Sequence, residues 1–258
     1  MPYEFIKALN KFDSSKTSQN PSTAEGDVAF GDKNRLPTMA IAPHRGMGDL
    51  IICNALFRRF ARNHSSLVIP VKPAYVDSAK YMLRDVPSAR VVPARTNEEA
   101  YQIVNSFRSS GFVLFLGNKG TNYRREEFDR CFYEQAGIDF ETRWTEFKLV
   151  RDPAIELEAP IQPHAFVHHD PSRGFEIDRA KASFSGLQEC VAVDGITKNI
   201  FAWLPCILSA SEIHCIDSSF ALLIDSLEIN SNVRLFLHRY ARPSETIPTY
   251  QLHWTFLS

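Results

Sequence analysis

The sequence has no apolar run long enough to cross a bilayer. Its longest nearly uncharged stretch, Ile200 to Ala210, is interrupted by Pro205 and falls far short of the ~20 residues a membrane helix needs. It has no excess of either charge: 29 Lys and Arg stand against 30 Asp and Glu, a net charge of −1. No bulk basic field is therefore available to hold nucleic acid or an anionic membrane surface. It has no C-x-x-C pair. The five cysteines, Cys53, Cys131, Cys190, Cys206 and Cys215, are odd in number, widely spaced and set mostly among apolar neighbours, which reads as buried thiols in a reducing compartment. The start, MPYEFIKALNKFDSSK, lacks the apolar core of a secretory signal. Together these absences lead to the expectation of a cytoplasmic protein with no transmembrane segment and no nucleic-acid partner.

What is present is the composition of a folded protein. At 258 residues, 44% hydrophobic and 23% charged, the chain can bury a sizeable core in one large or two small domains. Residues 13–37, rich in Ser, Thr, Asn, Gly and Pro, carry no apolar periodicity and read as the end of a polar leader, residues 1–37. From residue 38 the chain alternates. Strands are expected at TMAIAP (38–43), SLVIPV (66–71), ARVVP (89–93) and GFVLFLG (111–117), with helices at 50–60, 74–83 and 98–107 between them. A charged helix over 124–137 ends at a glycine, and the Pro-rich acidic segment 151–163 reads as a connection. A second series follows: strands at 164–169, 189–193, 212–216 and 232–237, a helix over 199–210 kinked at Pro205, and another over 218–227. Such alternation predicts parallel sheets covered by helices. The expected fold class is therefore α/β, with two Rossmann-like halves facing a cleft, residues 38–150 and 151–258. Ligands of such sheets bind at the carboxyl ends of the strands, which directs attention to three strand-to-helix turns.

The first, PHRGMGDLIICNALFRRF (43–60), has Gly46 and Gly48 to let the backbone approach a ligand and Asp49 at a helix start, where it is equally a helix N-cap. The second, EIHCIDSSFALLIDSL (212–227), ends a buried strand at Asp217 and opens a helix with Ser218 and Ser219. Two hydroxyls beside free backbone amides suit a phosphate, and the same residues suit a plain cap. The third, FVHHDPSRGFEI (166–177), places His168, His169 and Arg173 after a strand. Adjacent histidines on a strand point to opposite faces and make a poor metal pair, whereas Arg173 beside Gly174 suits a phosphate or carboxylate, or a solvated turn.

Together the turns resemble a known pattern. HRGMGDLIICNALFRRF resembles the glycine-rich turn with a G-D pair that opens the lipopolysaccharide heptosyltransferases and related GT-B glycosyltransferases. IHCIDSSFALLIDSL resembles their D-[ST]-G-x-x-H-[LI]-A-A-x-L segment, which holds the donor diphosphate. FDRCFYEQAGIDFETRW (128–144) and FVHHDPSRGF are similar to segments of small bacterial and phage glycosyltransferases. The sequence departs from the pattern at Ser219, where those transferases carry glycine, and at Leu222, where they carry histidine.

The resemblance implies a GT-B-like enzyme of polysaccharide biosynthesis. Its first half would face the acceptor, a glycan or lipid-linked sugar, and its second would bind a nucleotide sugar. Asp49 would be the general base, with His44 and His168 next in line. Gly46, Gly48, His168, Arg173, Lys198, Asp217, Ser218 and Ser219 would surround the donor. No D-x-D occurs, so the leaving diphosphate is assigned to fixed donors, with no metal and no cofactor, in an inverting transfer. Two other functions compete: a nucleotide-sugar epimerase or hydrolase, which needs a second acid or base such as His168 or His169, and a non-catalytic nucleotide- or carbohydrate-binding module.

Overall fold

A computed structural model of the protein describes residues 35–117, 127–182, 184–193, 195–242 and 248–258. Most of the expected leader lies outside them, as does the start of the helix expected over 124–137. Leu36 to Ser258 form one compact unit.

The unit contains two parallel sheets. In the first, β1 (Met39–Ala42), β2 (Leu67–Val71), β3 (Ala89–Pro93) and β4 (Phe112–Phe115) stand in the order β3-β2-β1-β4. In the second, β5 (His164–His168), β6 (Gln188–Ala192), β7 (Glu212–Cys215), β8 (Arg234–His238) and β9 (Thr255–Leu257) stand in the order β6-β5-β7-β8-β9. Every strand pairing is parallel. The apolar runs explain the choice of strand: MAIA of β1 and LVIPV of β2 are buried at every position, as strands sandwiched between helices must be. In both sheets the strand order reverses once, beside β1 in the first and beside β5 in the second. The loops leaving these strands diverge there, opening a crevice at their carboxyl ends.

The helices follow the expected positions with local differences. Where one helix was expected over 50–60 there are two, α1 (Met47–Ile52) and α2 (Asn54–Asn63), broken at Cys53, whose ψ of 2° leaves the helical range. Helices α3 (Val76–Met82), α4 (Asn97–Asn105) and α5 (Phe128–Ala136) come next, α5 closing on Gly137 at φ 67°, a left-handed stop that glycine takes without strain. Two short helices, α6 (Thr142–Thr145) and α7 (Arg179–Ala182), were not anticipated. The expected kinked helix over 199–210 is instead a 3-10 turn, Ile200–Trp203, followed by α8 (Leu204–Leu208). Pro205 stands in the first turn of α8, where its missing N–H leaves no hydrogen bond unmade. The last helix is α9 (Ser219–Asp225).

The C-terminal segment ties these pieces together. Two buried carboxylates receive it. Asp129 on α5 accepts from the Thr249 amide at 2.7 Å and pairs with buried Arg143 at 2.7 Å, whose guanidinium also reaches the Thr249 carbonyl at 2.9 Å. Asp225 on α9 accepts from the Gln251 and Leu252 amides and from the indoles of Trp144 and Trp254, all between 3.0 and 3.2 Å. The chain then enters the edge of the second sheet as β9.

Candidate functional site

The strand ends open on one cavity of about 670 Å³. Gly46 to Asp49 reach it from the loop after β1 and Lys72 from the end of β2. From the second sheet come His168, Asp170 and Arg173 after β5, Asp217 to Phe220 after β7, and Arg242 after β8, with Lys198 and Leu222 completing the wall. The carboxyl-end rule for parallel sheets accounts for nearly all of these positions.

Asp49 is held by its own turn. Its Oδ2 accepts from the Gly46 amide at 3.0 Å, the half of a capping box that an N3 acid supplies. A β-carbon on residue 46 would lie 2.6 Å from that oxygen, so glycine is required for the closure. Burial pushes the Asp49 carboxyl above its ordinary range, against the nearby charges of His44 and Lys72 and the Gly46 amide. A carboxylate so raised is a stronger base, and Asp49 lines the cavity. The structure does not bring His44 to the cavity wall: its Nε2 lies 3.0 Å from the Gly117 carbonyl and its ring stands edge-on to Phe132.

The opposite wall is built of hydroxyls and cations. Ser218 is the N-cap of α9 by backbone position, yet its side chain makes no capping bond. Its Oγ lies 3.1 Å from Nδ1 of His168 instead. Burial depresses the His168 pKa to about 3, and the charges of Arg173 and Arg242 add to that shift. At neutral pH the ring is uncharged and stacks on Phe220, centroids 4.3 Å apart. Arg173 grips Asp170 of its own turn, both Nε and Nη2 standing 2.5 Å from one carboxylate oxygen. Asp217 is raised by burial, with Arg242, Arg239 and the Tyr250 hydroxyl acting against that rise; the hydroxyl lies 3.3 Å from its Oδ1.

The two walls meet where α1 and α9 touch. A β-carbon on Gly48 would stand 2.7 Å from Cδ1 of Leu222 and 3.8 Å from the Ser219 Cα. Gly48 is thus a close-approach glycine between helices of different sheets. Leu222, in place of the histidine of the resembled pattern, puts an apolar side chain at that contact.

Of the residues singled out in the sequence, Asp49, Gly46, Gly48, His168, Arg173, Lys198, Asp217, Ser218 and Ser219 all line the cavity, and His44 does not. Three charged residues that reach it were missed: Lys72, Asp170 and Arg242. Lys72 directly follows a strand and was within reach of the carboxyl-end rule, as was Asp170. Arg242 sits in no recognisable motif. Among the described residues no group of three His, Cys, Asp or Glu side chains is placed to hold a metal ion.

No protein-family profile matches the chain, and no curated protein matches its sequence. Solved structures do match in fold. The iron-containing dodecameric glycosyltransferase TibC from enterotoxigenic E. coli H10407 superposes with a TM-score of 0.51 at 12% identity over 79% of this chain. E. coli heptosyltransferase WaaC, solved with ADP-2-deoxy-2-fluoro heptose, gives 0.50 at 10% identity over 85% of this chain. The mixed α/β fold with its parallel sheets is similar to that of these two transferases. This chain spans 59% of the TibC chain and 92% of the WaaC chain, and at such identities the likeness is one of fold.

Proposed function

We propose that the protein is a glycosyltransferase that moves a sugar from a nucleotide-activated donor to a hydroxyl acceptor, a glycan or lipid-linked sugar, with inversion and without a metal or cofactor. The observation that carries this reading is the convergence, on one cavity, of a base-like carboxylate from the first sheet with hydroxyls and cations from the second. The likeness in fold to WaaC and TibC supports it. In this reading the two sheets belong to the halves 38–150 and 151–258 of a GT-B-like enzyme of the cytoplasm; no described helix is long and apolar enough to cross a membrane.

The acceptor hydroxyl transfers its proton to Asp49 as its oxygen attacks the anomeric carbon. The bond from that carbon to the diphosphate breaks on the opposite face, and the nucleoside diphosphate leaves with the bonding electrons. The charge developing on it is met by Arg173, Lys198 and the Ser218 and Ser219 hydroxyls, fixed donors that need little reorganisation.

The epimerase reading depends on a second acid or base: of its two candidates, His168 is packed against Phe220 and bonded to Ser218, and His169 does not line the cavity. The test is a panel of nucleoside diphosphate sugars incubated with the protein, with and without glycan acceptors, monitoring release of nucleoside diphosphate. Release that requires an acceptor and yields a glycosylated product supports transfer. Release or isomerisation without acceptor would move the protein to the hydrolase or epimerase class, and binding without turnover to a binding module.

A further inference from the structure

Arg173 was the sequence's candidate for the diphosphate, yet in the structure much of its charge is answered. It lies 2.5 Å from Asp170 three residues earlier in the same turn, and its side chain is 57% exposed. A guanidinium already neutralised and largely solvated adds little further attraction for an anion. A second arginine stands in a different situation. Arg242, from the loop after β8, lines the cavity and donates from Nη1 to the backbone carbonyl of Asp217 at 2.5 Å. That bond orients the guanidinium without neutralising it. The Asp217 carboxylate is near, and the charge of Arg242 acts against the rise that burial gives its pKa.

The second observation is a ring that the two arginines share. Arg173 and Arg242 lie over the same ring, their guanidinium carbons 5.5 and 5.4 Å from the centroid of Phe175. Ring contact orients both side chains. An anion meeting Arg242 beside that ring gains charge-assisted hydrogen bonds, and Arg173, its charge answered by Asp170, adds the weaker contact. Both also act on His168, whose Nδ1 carries the Ser218 hydroxyl.

We propose that Arg242 is the principal diphosphate-binding cation of this cavity, clamping the donor's phosphates against the Ser218 hydroxyl, with Arg173 as the weaker partner. The inference rests on the reading of the cavity as a nucleotide-sugar site and specifies which residue gives that site its phosphate affinity. It also ties phosphate binding to Asp217: because Arg242 is anchored on that residue's carbonyl, the turn after β7 and the loop after β8 must hold together for the clamp to exist.

Calorimetry with inorganic pyrophosphate and with ADP as probes tests it, on the full chain and on Arg242→Gln, Arg242→Ala and Arg173→Ala. Gln is shorter than Arg but keeps an uncharged N–H donor and a polar side chain in the loop, so it decides the case if the Ala variant fails to fold. Arg242→Gln is expected to weaken pyrophosphate binding by ~10–100-fold, the loss of one charge-assisted contact, and Arg173→Ala by several-fold only. Wild-type binding of pyrophosphate that Arg242→Gln leaves unchanged, or a larger loss from Arg173→Ala, overturns the assignment to Arg242 while leaving the nucleotide-sugar reading intact. A wild-type protein that binds neither probe overturns both.

Discussion

Asp49, on the first-sheet wall of the cavity, is fixed within the four-residue turn Gly46–Asp49 and closed by a single backbone amide, whereas the second-sheet wall, apart from the Arg173–Asp170 turn, is braced by residues far along the chain. Ser218 leans on His168, Arg242 on Asp217, and the Tyr250 hydroxyl on the Asp217 carboxylate. The first wall is short-range and apolar behind; β1 and β2 carry no buried polar side chain. Behind the second wall runs a polar chain: Glu212 contacts His214, His214 contacts His238 at 3.0 Å, and His238 contacts the Tyr240 hydroxyl at 3.0 Å. A reacting group needs one defined position, which a turn supplies. A diphosphate is large and multiply charged and needs several donors, which only convergent loops supply.

The largest effect that would sharpen this contrast is expected at Asp49. Asp49→Asn keeps an acceptor for the Gly46 amide and removes the proton acceptor, so turnover should fall by ~10²–10⁴-fold with donor affinity near wild type. Stability provides a control with a definite sign. A carboxyl whose pKa is raised in the folded state opposes folding at any pH above its ordinary value, because the unfolded chain then ionises more readily. The melting temperature of the Asn variant at pH 7 should therefore equal or exceed that of the wild type. Near-normal transfer by a stable Asp49→Asn protein would return Asp49 to a capping role and dissolve the contrast between the walls.

The next effect is structural. Arg143→Met leaves Asp129 buried with its Thr249 and Arg130 amide donors and no cation, a change that typically costs ~3–5 kcal/mol. Arg62→Met, which removes the exposed partner of Glu146 (63% exposed), should cost under ~1 kcal/mol. Urea midpoints measure both. Equal losses would mean that the C-terminal segment is not held through Asp129, and with it the long-range bracing of the second wall.

The contrast between local and convergent walls also explains what could be read from the sequence. The buried strands were legible because MAIA and LVIPV are apolar at every position, and the Asp49 turn because its closing hydrogen bond, from the Gly46 amide, spans three residues. The break at Cys53 was not, since apolar residues continue on both sides of it. Strand β9 was not either: three residues on a sheet edge, two of them exposed, carry no periodicity. His44 was placed in the site because it neighbours the glycine turn, but its partner, the Gly117 carbonyl, is 73 residues away. Arg242 failed for the same reason in reverse. Its anchor, the Asp217 carbonyl, is 25 residues earlier, and nothing in the sequence RYARPS marks it.

Acid should weaken the fold through its buried histidines, two of which stand side by side in the second sheet. His214 and His238 are both depressed to about 4 by burial, so between pH 6.5 and about 4 the unfolded chain binds protons that the folded chain refuses. Stability is then fully present above pH 6.5 and lost as pH falls through that window, at no more than ~1.4 kcal/mol per pH unit for each histidine. His238→Gln should flatten the slope of unfolding free energy between pH 5 and 6.5, where ordinary carboxyls contribute little. An unchanged slope would mean that His238 is not held neutral in the fold.

The smallest expected effect lies at the seam between the walls, and its sign decides whether they are in contact. Alanine in place of a helical glycine gains up to ~1 kcal/mol from reduced backbone entropy in the unfolded chain. At position 48 the added methyl meets Cδ1 of Leu222 at 2.7 Å, and Leu222, though it borders the cavity, is only 6% exposed, so it yields in part; overpacking of this kind costs ~1–3 kcal/mol. Gly48→Ala alone should therefore be destabilising by about 1 kcal/mol. Leu222→Ala alone loses buried apolar surface, by ~2 kcal/mol at the low end for such truncations because the side chain borders an open cavity. In the double variant the clash is gone and the helical gain remains, so Gly48→Ala made on the Leu222→Ala background should be neutral or stabilising, a coupling of ~1–2 kcal/mol. Chemical unfolding of the four proteins reads this directly. Additive losses would separate α1 from α9 and leave the two walls without a common edge, whereas the coupled outcome makes one glycine and one leucine the gauge that sets the distance between the proton acceptor and the phosphate wall.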